Sequence, residues 1–204
     1  MPLAIIFRKN LDQNIFRDLI INILDSTQSD EALICSGFFQ ENFKKSDYQV
    51  SLEKGFATVC ASRKINLTTI GIHNNTWKQS YQNFKVNMLA SNVNIKCFYK
   101  NGLAWHAKVF IALKNSIPVF GIIGSSNFTS KAFSTAGKFN NECDVVLWTD
   151  EMSVDYIVQN SLPRDNFGSI IRAPYDPAQN GNLTIETRLL SLQSEILNEN
   201  LVLL

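Results

Sequence analysis

The chain has two histidines, and one of them, His106, stands two residues before Lys108 in the run Ala-Trp-His-Ala-Lys-Val-Phe-Ile-Ala-Leu. On an extended strand, residues two apart share a face. That places an imidazole beside an ammonium and turns Trp105, Ala107 and Val109 the other way, into a core. Two potential cations make a poor structural pair and a suitable cradle for a phosphate. Further on, an apolar run from Ile117 to Ile123 leads into Gly124-Ser125-Ser126-Asn127-Phe128-Thr129. Gly124 permits a tight turn at the strand end, after which Ser125 and Asn127 present a hydroxyl and an amide near one spot. Small polar side chains at a strand-to-helix turn hold phosphate oxygens alongside backbone N–H groups. Asn140-Asn141-Glu142 then precedes a strand starting at Cys143. A carboxylate there can accept a hydrogen bond from His106 Nδ1–H, fixing the tautomer and leaving Nε2 free to attack. A lone histidine on a strand is more often structural, and Gly-Ser-Ser-Asn alone is a common turn. The ordered combination is what points to chemistry on a phosphoryl group. His73, in Ile-His-Asn-Asn, has no lysine partner and reads as a loop or strand-end histidine.

Elements must hold these residues in place. Leu11 to Leu24 repeats its apolar residues at helical spacing, as does Thr76 to Leu89. Strands are expected at Ala32–Phe39, Ile65–Ile72, Val93–Tyr99, Leu103–Leu113, Ile117–Ile123 and Cys143–Trp148, rich in apolar and β-branched residues. The turn around Lys114, Asn115 and Ser116 should join two of them as a hairpin. Ser130 to Phe133 opens a short helix, and Ser153 to Leu162 forms another. Strands alternating with helices imply an α/β domain with a central mixed β-sheet flanked by helices, spanning residues 1–162. From 163 to 204 the texture changes: Pro163, Gly168, Pro174, Pro177 and Gly181 punctuate a loop-rich stretch. A final helical pattern from Leu183 runs to an apolar end, Leu-Val-Leu-Leu, and is expected to pack on the domain or on a dimer partner.

Composition sets bounds. The 204 residues carry 19 basic and 18 acidic side chains, a formal net charge of +1. Nucleic-acid binding by bulk charge is excluded, so any such binding needs a local basic patch. Cys35, Cys60, Cys97 and Cys143 are widely spaced and form no C-x-x-C pair. Buried, reduced thiols are expected for all four, and with them a cytoplasmic setting. No apolar run is long enough to span a membrane, and the segment before Arg8 is too short for a signal sequence. Neither metal nor cofactor is expected: carboxylates are not clustered at Mg²⁺ spacing, and histidines and paired cysteines are too few for zinc.

H-x-K, a following strand and then G-S-x-N resemble the phospholipase D superfamily motif, matched residue by residue by His106, Lys108, Gly124, Ser125 and Asn127. The run Gly-Ser-Ser-Asn-Phe-Thr followed by Asn-Asn-Glu is most similar to the nuclease branch, including restriction endonucleases with catalytic domains of this type. The strong match covers about Trp105 to Trp148. The full family pattern has an Asp five residues after the Lys, where this chain has Leu113. The resemblance implies a phospholipase-D-like fold with one motif per chain. It implies a metal-independent endonuclease that hydrolyses DNA phosphodiester bonds through a phosphohistidine at His106. Lys108, Ser125 and Asn127 would bind the phosphoryl oxygens, and Glu142 would orient His106. One H-x-K per chain implies a homodimer with a shared active site. A restriction system is the expected context; either sequence recognition sits on another protein, such as a separate recognition or methyltransferase subunit, or the chain is a catalytic fragment, or cutting is nonspecific. The alternative is a phosphodiesterase or phosphatidyl transferase acting on lipid. Lipid-active relatives usually carry two H-x-K copies in one longer chain, and this chain lacks a basic amphipathic helix for a membrane surface. A third reading is a degenerate, non-enzymatic dimeric scaffold, against which the intact His106, Lys108 and Asn127 argue.

Overall fold

The computed structural model describes residues 2–72, 75–100, 106–163 and 169–204. The first elements are a strand, β1 (Pro2–Arg8), and a helix, α1 (Ile15–Leu24). The helix starts later than its apolar pattern because Asn14 caps it: the Asn14 carboxamide oxygen accepts the Arg17 N–H at 3.0 Å. Next come β2 (Glu31–Ser36), a short helix α2 (Phe56–Ser62), β3 (Asn66–Ile72), α3 (Asn75–Ala90) and β4 (Asn94–Lys100). The hairpin strands are β5 (Lys108–Lys114) and β6 (Ile117–Gly124). Their two-residue turn uses Asn115 and Ser116 at φ 50° and 64°, the left-handed pair that matches the twist of a tight hairpin. The one-turn helix α4 (Ser130–Phe133), β7 (Glu142–Trp148) and α5 (Met152–Ser161) follow. The chain closes with β8 (Ile170–Pro174), α6 (Ile185–Leu197) and β9 (Val202–Leu203).

All nine described strands join one mixed sheet in the order β8-β1-β7-β6-β5-β2-β3-β4-β9. β2, β3 and β4 run parallel, linked by crossover helices, while the strands from β5 to β8 pair antiparallel. The expected α/β class with a central mixed sheet is therefore the observed one. The segment after residue 162 supplies two of the strands: β8 pairs with β1, and β9 pairs with β4.

Strand alternation splits the core in two. One face buries Ile6, Ile34, Phe110, Ile122 and Val146 beneath α1, α2, α3 and α5. The other buries Leu33, Val109, Ile111 and Leu147 beneath Ile185, Leu189 and Ile196 of α6. The first face carries a cluster of rings in which Phe128 lies 4.8 Å from Phe133, 5.5 Å from Phe39 and 5.9 Å from Phe16. Such stacked and edge-on pairs add to area burial. They matter here because Phe128 directly follows Asn127, so the polar turn is anchored in the core. The loop after β2 is sewn to the same turn: Gln40 N–H donates to the Phe128 carbonyl at 2.8 Å, and Ser130 N–H donates to Gln40 Oε1 at 2.9 Å.

One expectation fails at the cysteines. Cys35, Cys60 and Cys97 are buried and free, but Cys143 is exposed. It lies on the α6 face of β7, where Leu147 is buried, Val145 half-buried and Cys143 open to solvent. The cover supplied by α6 has run out at that end of the strand.

Candidate active site

The sheet brings the motif residues to one edge by register. Lys108 pairs with Gly124, and Gly124 pairs with Asp144. Glu142 pairs with Arg8 at the next junction. Cys35 pairs with Val109, which sets Ser36 beside Lys108. Lys108, Glu142, Asp144 and Ser36 all continue the alternation of the aromatic face, so the site is the polar end of that core.

Gly124 has a different reason from the one expected. It does not adopt a positive φ; it is the last residue of β6. A Cβ there would sit 2.0 Å from Asp144 Oδ1 and 2.6 Å from both Asp144 Cα and the Cys143 carbonyl oxygen. Glycine is required for the close approach of β7, not for a turn.

Beyond Gly124 the turn is held by carboxylates. Ser126, buried at 1% exposure, donates its N–H to Asp144 Oδ1 at 3.1 Å and its hydroxyl to Asp144 Oδ2 at 2.6 Å. Burial pushes the Asp144 carboxyl up, with the nearby Glu142 charge adding to the rise and the two Ser126 bonds opposing it. The Ser125 hydroxyl donates to Glu142 Oε2 and accepts the Cys143 N–H at 3.0 Å. Asn127 is half-buried, and its Oδ1 accepts the Ser36 hydroxyl at 3.2 Å. With the oxygen so engaged, the Asn127 Nδ2 donors are the part left to meet a ligand.

His106 lies just before β5 and is exposed. The strand expected from Leu103 begins at Lys108, and residues 103–105, including Trp105, lie outside the described ones, as does His73. Lys108 Nζ donates to the His106 carbonyl at 2.8 Å, and among the described residues it forms no ion pair with a carboxylate. The expected Glu142–His106 hydrogen bond is not formed among the described residues; Glu142 holds Ser125 through Oε2 instead. Leu113, which stands where the family pattern has an Asp, is 2% exposed and packs in the core beneath α6, at the far end of β5 from Lys108.

Three positioning residues have no signature in the motif: Ser36, Asp144 and Arg8. Arg8 donates to the Lys131 carbonyl at 2.9 Å and to the Ser134 carbonyl, and its guanidinium lies 5.5 Å from the Phe139 ring. It therefore ties β1 to the segment that leads from α4 into Glu142. Burial and the neighbouring Arg17 lower its affinity for the proton, and Glu142 partly offsets this.

A single H-x-K and a single G-S-x-N, set at the ends of neighbouring strands of a mixed sheet, define a phosphodiesterase domain of the phospholipase D superfamily. The sequence over residues 13–162 matches the NgoFVII restriction endonuclease N-terminal PLD domain, and the chain belongs to that family. Among solved structures it is similar to NucT from Helicobacter pylori, at 16% identity over 78% of this chain and 93% of that one, with a TM-score of 0.45. It is also similar to a phosphatidylserine synthase from Haemophilus influenzae Rd KW20, at 11% identity over 95% and 45% of the two chains, TM-score 0.47. A yeast tyrosyl-DNA phosphodiesterase aligns at 14% identity over 71% and 31%, TM-score 0.38. No curated protein matches the chain significantly by sequence. No helix among the described residues is long and apolar enough to cross a membrane.

Proposed function

We propose that the chain is a metal-independent endonuclease that hydrolyses DNA phosphodiester bonds through a phosphohistidine, and that it serves a restriction system as a homodimer. The observation that carries this reading is the Lys108–Gly124–Asp144 register, which gathers Lys108, Ser125, Asn127 and Glu142 at one sheet edge beside an exposed His106. Nε2 of His106 attacks the scissile phosphorus; the N–P bond forms as the P–O bond to the leaving group breaks. The leaving oxygen takes its proton from His106 of the partner subunit. That same imidazole then removes a proton from water, the water oxygen bonds to phosphorus, and the N–P bond breaks. Lys108 and the Asn127 Nδ2 donors face the charge that develops on the phosphoryl oxygens. Glu142 fixes Ser125 through one oxygen, and its other oxygen would orient His106 Nδ1–H. One H-x-K per chain supports the dimer, since the two-step reaction uses two histidines at one centre; two-fold pairing is also the commonest assembly. The reduced Cys35, Cys60 and Cys97 support a cytoplasmic setting.

The test is plasmid nicking in excess EDTA. Supercoiled DNA should be cut in the chelator by the wild-type chain and left intact by His106→Ala. Complete loss of cutting in EDTA, restored by Mg²⁺, would sink the phosphohistidine mechanism.

A further inference from the structure

Next to Asn127 the surface opens into a groove of about 590 Å³. Its floor is aromatic. Phe43, from the loop after β2, and Trp77, from the first turn of α3, lie parallel with ring centroids 3.7 Å apart and 12° between planes. Phe38 leans on Trp77 at 4.7 Å. All three rings are only half-buried. Its charged lining residues are Lys44, Lys45 and Lys131, with no carboxylate among the lining residues. All three lysines are exposed.

Pinning a loop to a helix uses the rings, with Lys44 Nζ 5.1 Å from the Phe43 ring centroid, but it needs neither Lys45 nor Lys131. In a chain with 19 basic and 18 acidic residues, a rim of cations alone is a local departure from the mean. Half-exposed rings bordered by cations, continuous with an amide that meets phosphoryl oxygens, form the arrangement by which proteins hold an unpaired strand. Bases stack on the rings, and the backbone tracks the positive rim. A base inside a duplex has both faces covered by its neighbours and cannot stack on a lateral ledge. An unpaired base can. We infer that this groove seats single-stranded nucleic acid beside the scissile phosphate, with a base stacked on the Phe43–Trp77 ledge and the flanking phosphates on Lys44, Lys45 and Lys131. This rests on the nuclease reading above and deepens it: the strand is unpaired next to the cut, so a duplex must open locally there, which negative supercoiling of a plasmid favours.

The test uses the full chain and two probes. Hydrolysis of bis(p-nitrophenyl) phosphate, a diester too small to fill the groove, reads the catalytic centre. Fluorescence anisotropy with labelled oligothymidine, and with the same strand in duplex with oligoadenosine, reads the groove. The single strand should bind at least several-fold more tightly than the duplex. Trp77→Ala should weaken it roughly tenfold, the scale of one lost base stack, while Trp77→Phe restores binding and neither variant alters hydrolysis of the small diester. Lys44→Ser with Lys45→Ser, both on the surface, should lower the salt slope of strand binding by roughly one to two counterions. If Trp77→Ala fails to fold, the lysine pair and Trp77→Phe still decide the matter. Equal binding of strand and duplex, or a lysine pair without effect on the slope, overturns the inference. A wild-type chain that leaves the small diester intact yet binds oligothymidine with these dependences tells against the nuclease reading and leaves the groove standing.

Discussion

Gly124→Ala should be among the costliest single-methyl additions in the molecule. The new Cβ would fall 2.0 Å from Asp144 Oδ1, 2.6 Å from Asp144 Cα and 2.6 Å from the Cys143 carbonyl oxygen. The first contact can be relieved by turning the carboxylate, but the other two are backbone, so β6 and β7 must part. Overpacking of this kind costs about 1–3 kcal/mol. Turning Asp144 also loosens the Ser126 N–H and hydroxyl bonds, and a strained bond to a buried carboxyl forfeits roughly 1–2 kcal/mol more. The expected total is about 2–5 kcal/mol. With a urea slope of about 2 kcal/mol/M, the midpoint should fall by roughly 1–2.5 M. Gly121→Ala is the internal control. Its Cβ would sit 2.5 Å from Leu189 Cδ2, the far end of a flexible side chain. A change of leucine rotamer costs about 0.5–1.5 kcal/mol, so the midpoint should move by well under 1 M. Urea unfolding followed by tryptophan fluorescence compares the two directly. Equal shifts for both, or a Gly124→Ala midpoint within about 0.5 M of wild type, would refute the close-approach account of the motif glycine.

Random re-pairing of wild-type and His106→Ala chains in equal amounts should leave about a quarter of the nicking rate if two subunits share one centre; a tagged heterodimer that keeps half the wild-type rate would show independent sites. Ser36→Ala frees the Asn127 carboxamide, and the rate should fall about tenfold while binding of a single strand changes little, as expected for a lost charge-stabilising donor; an unchanged rate would remove Ser36 from the positioning set. Asp144 has its folded proton affinity raised by burial above the usual 3.8. Such a group contributes stability that is fully present below the unfolded value and is lost as pH rises through the folded one. Asp144→Asn should therefore gain on wild type in urea unfolding as the pH is raised from about 4 to 7, and a variant that instead loses ground to wild type over that range would reverse the sign argued here.

Much of the candidate catalytic edge was legible because its signals are local. H-x-K and G-S-x-N sit at strand ends that their own apolar runs announce, and the Asn115–Ser116 turn declares its hairpin. What escaped is non-local. Ser36 meets Asn127, and Arg8 meets the Lys131 and Ser134 carbonyls, across long stretches of chain that no spacing rule connects. Asp144 is two residues from Glu142, yet its role depends on β6 lying alongside. Elements were missed for the same reason. β1 is short and reads as an ordinary N-terminal segment until β7 and β8 flank it. β8 lies among prolines and glycines whose turn signals outweigh five strand residues. α2, one of the shorter helices, has no strong apolar period of its own. The alternation of Trp105, Ala107 and Val109 carries a strand back through His106, but the ladder stops at Lys108.

The order of strands has a consequence for how the molecule comes into being. β1 is the first strand in the chain, yet it lies between β7 and β8, with Leu3 opposite Leu147 on one side and Ala173 on the other. A growing chain therefore carries its first strand without a partner until most of the domain has been made, and closing that long loop is the slow part of folding. Arg8 cannot fasten the Lys131–Ser134 segment, and Glu142 cannot settle opposite it, before that late pairing. The edge that carries Lys108, Asn127 and Glu142 is thus complete only once β7 has been made and β1 has returned to it, so a chain cut short of β7 should not cut DNA.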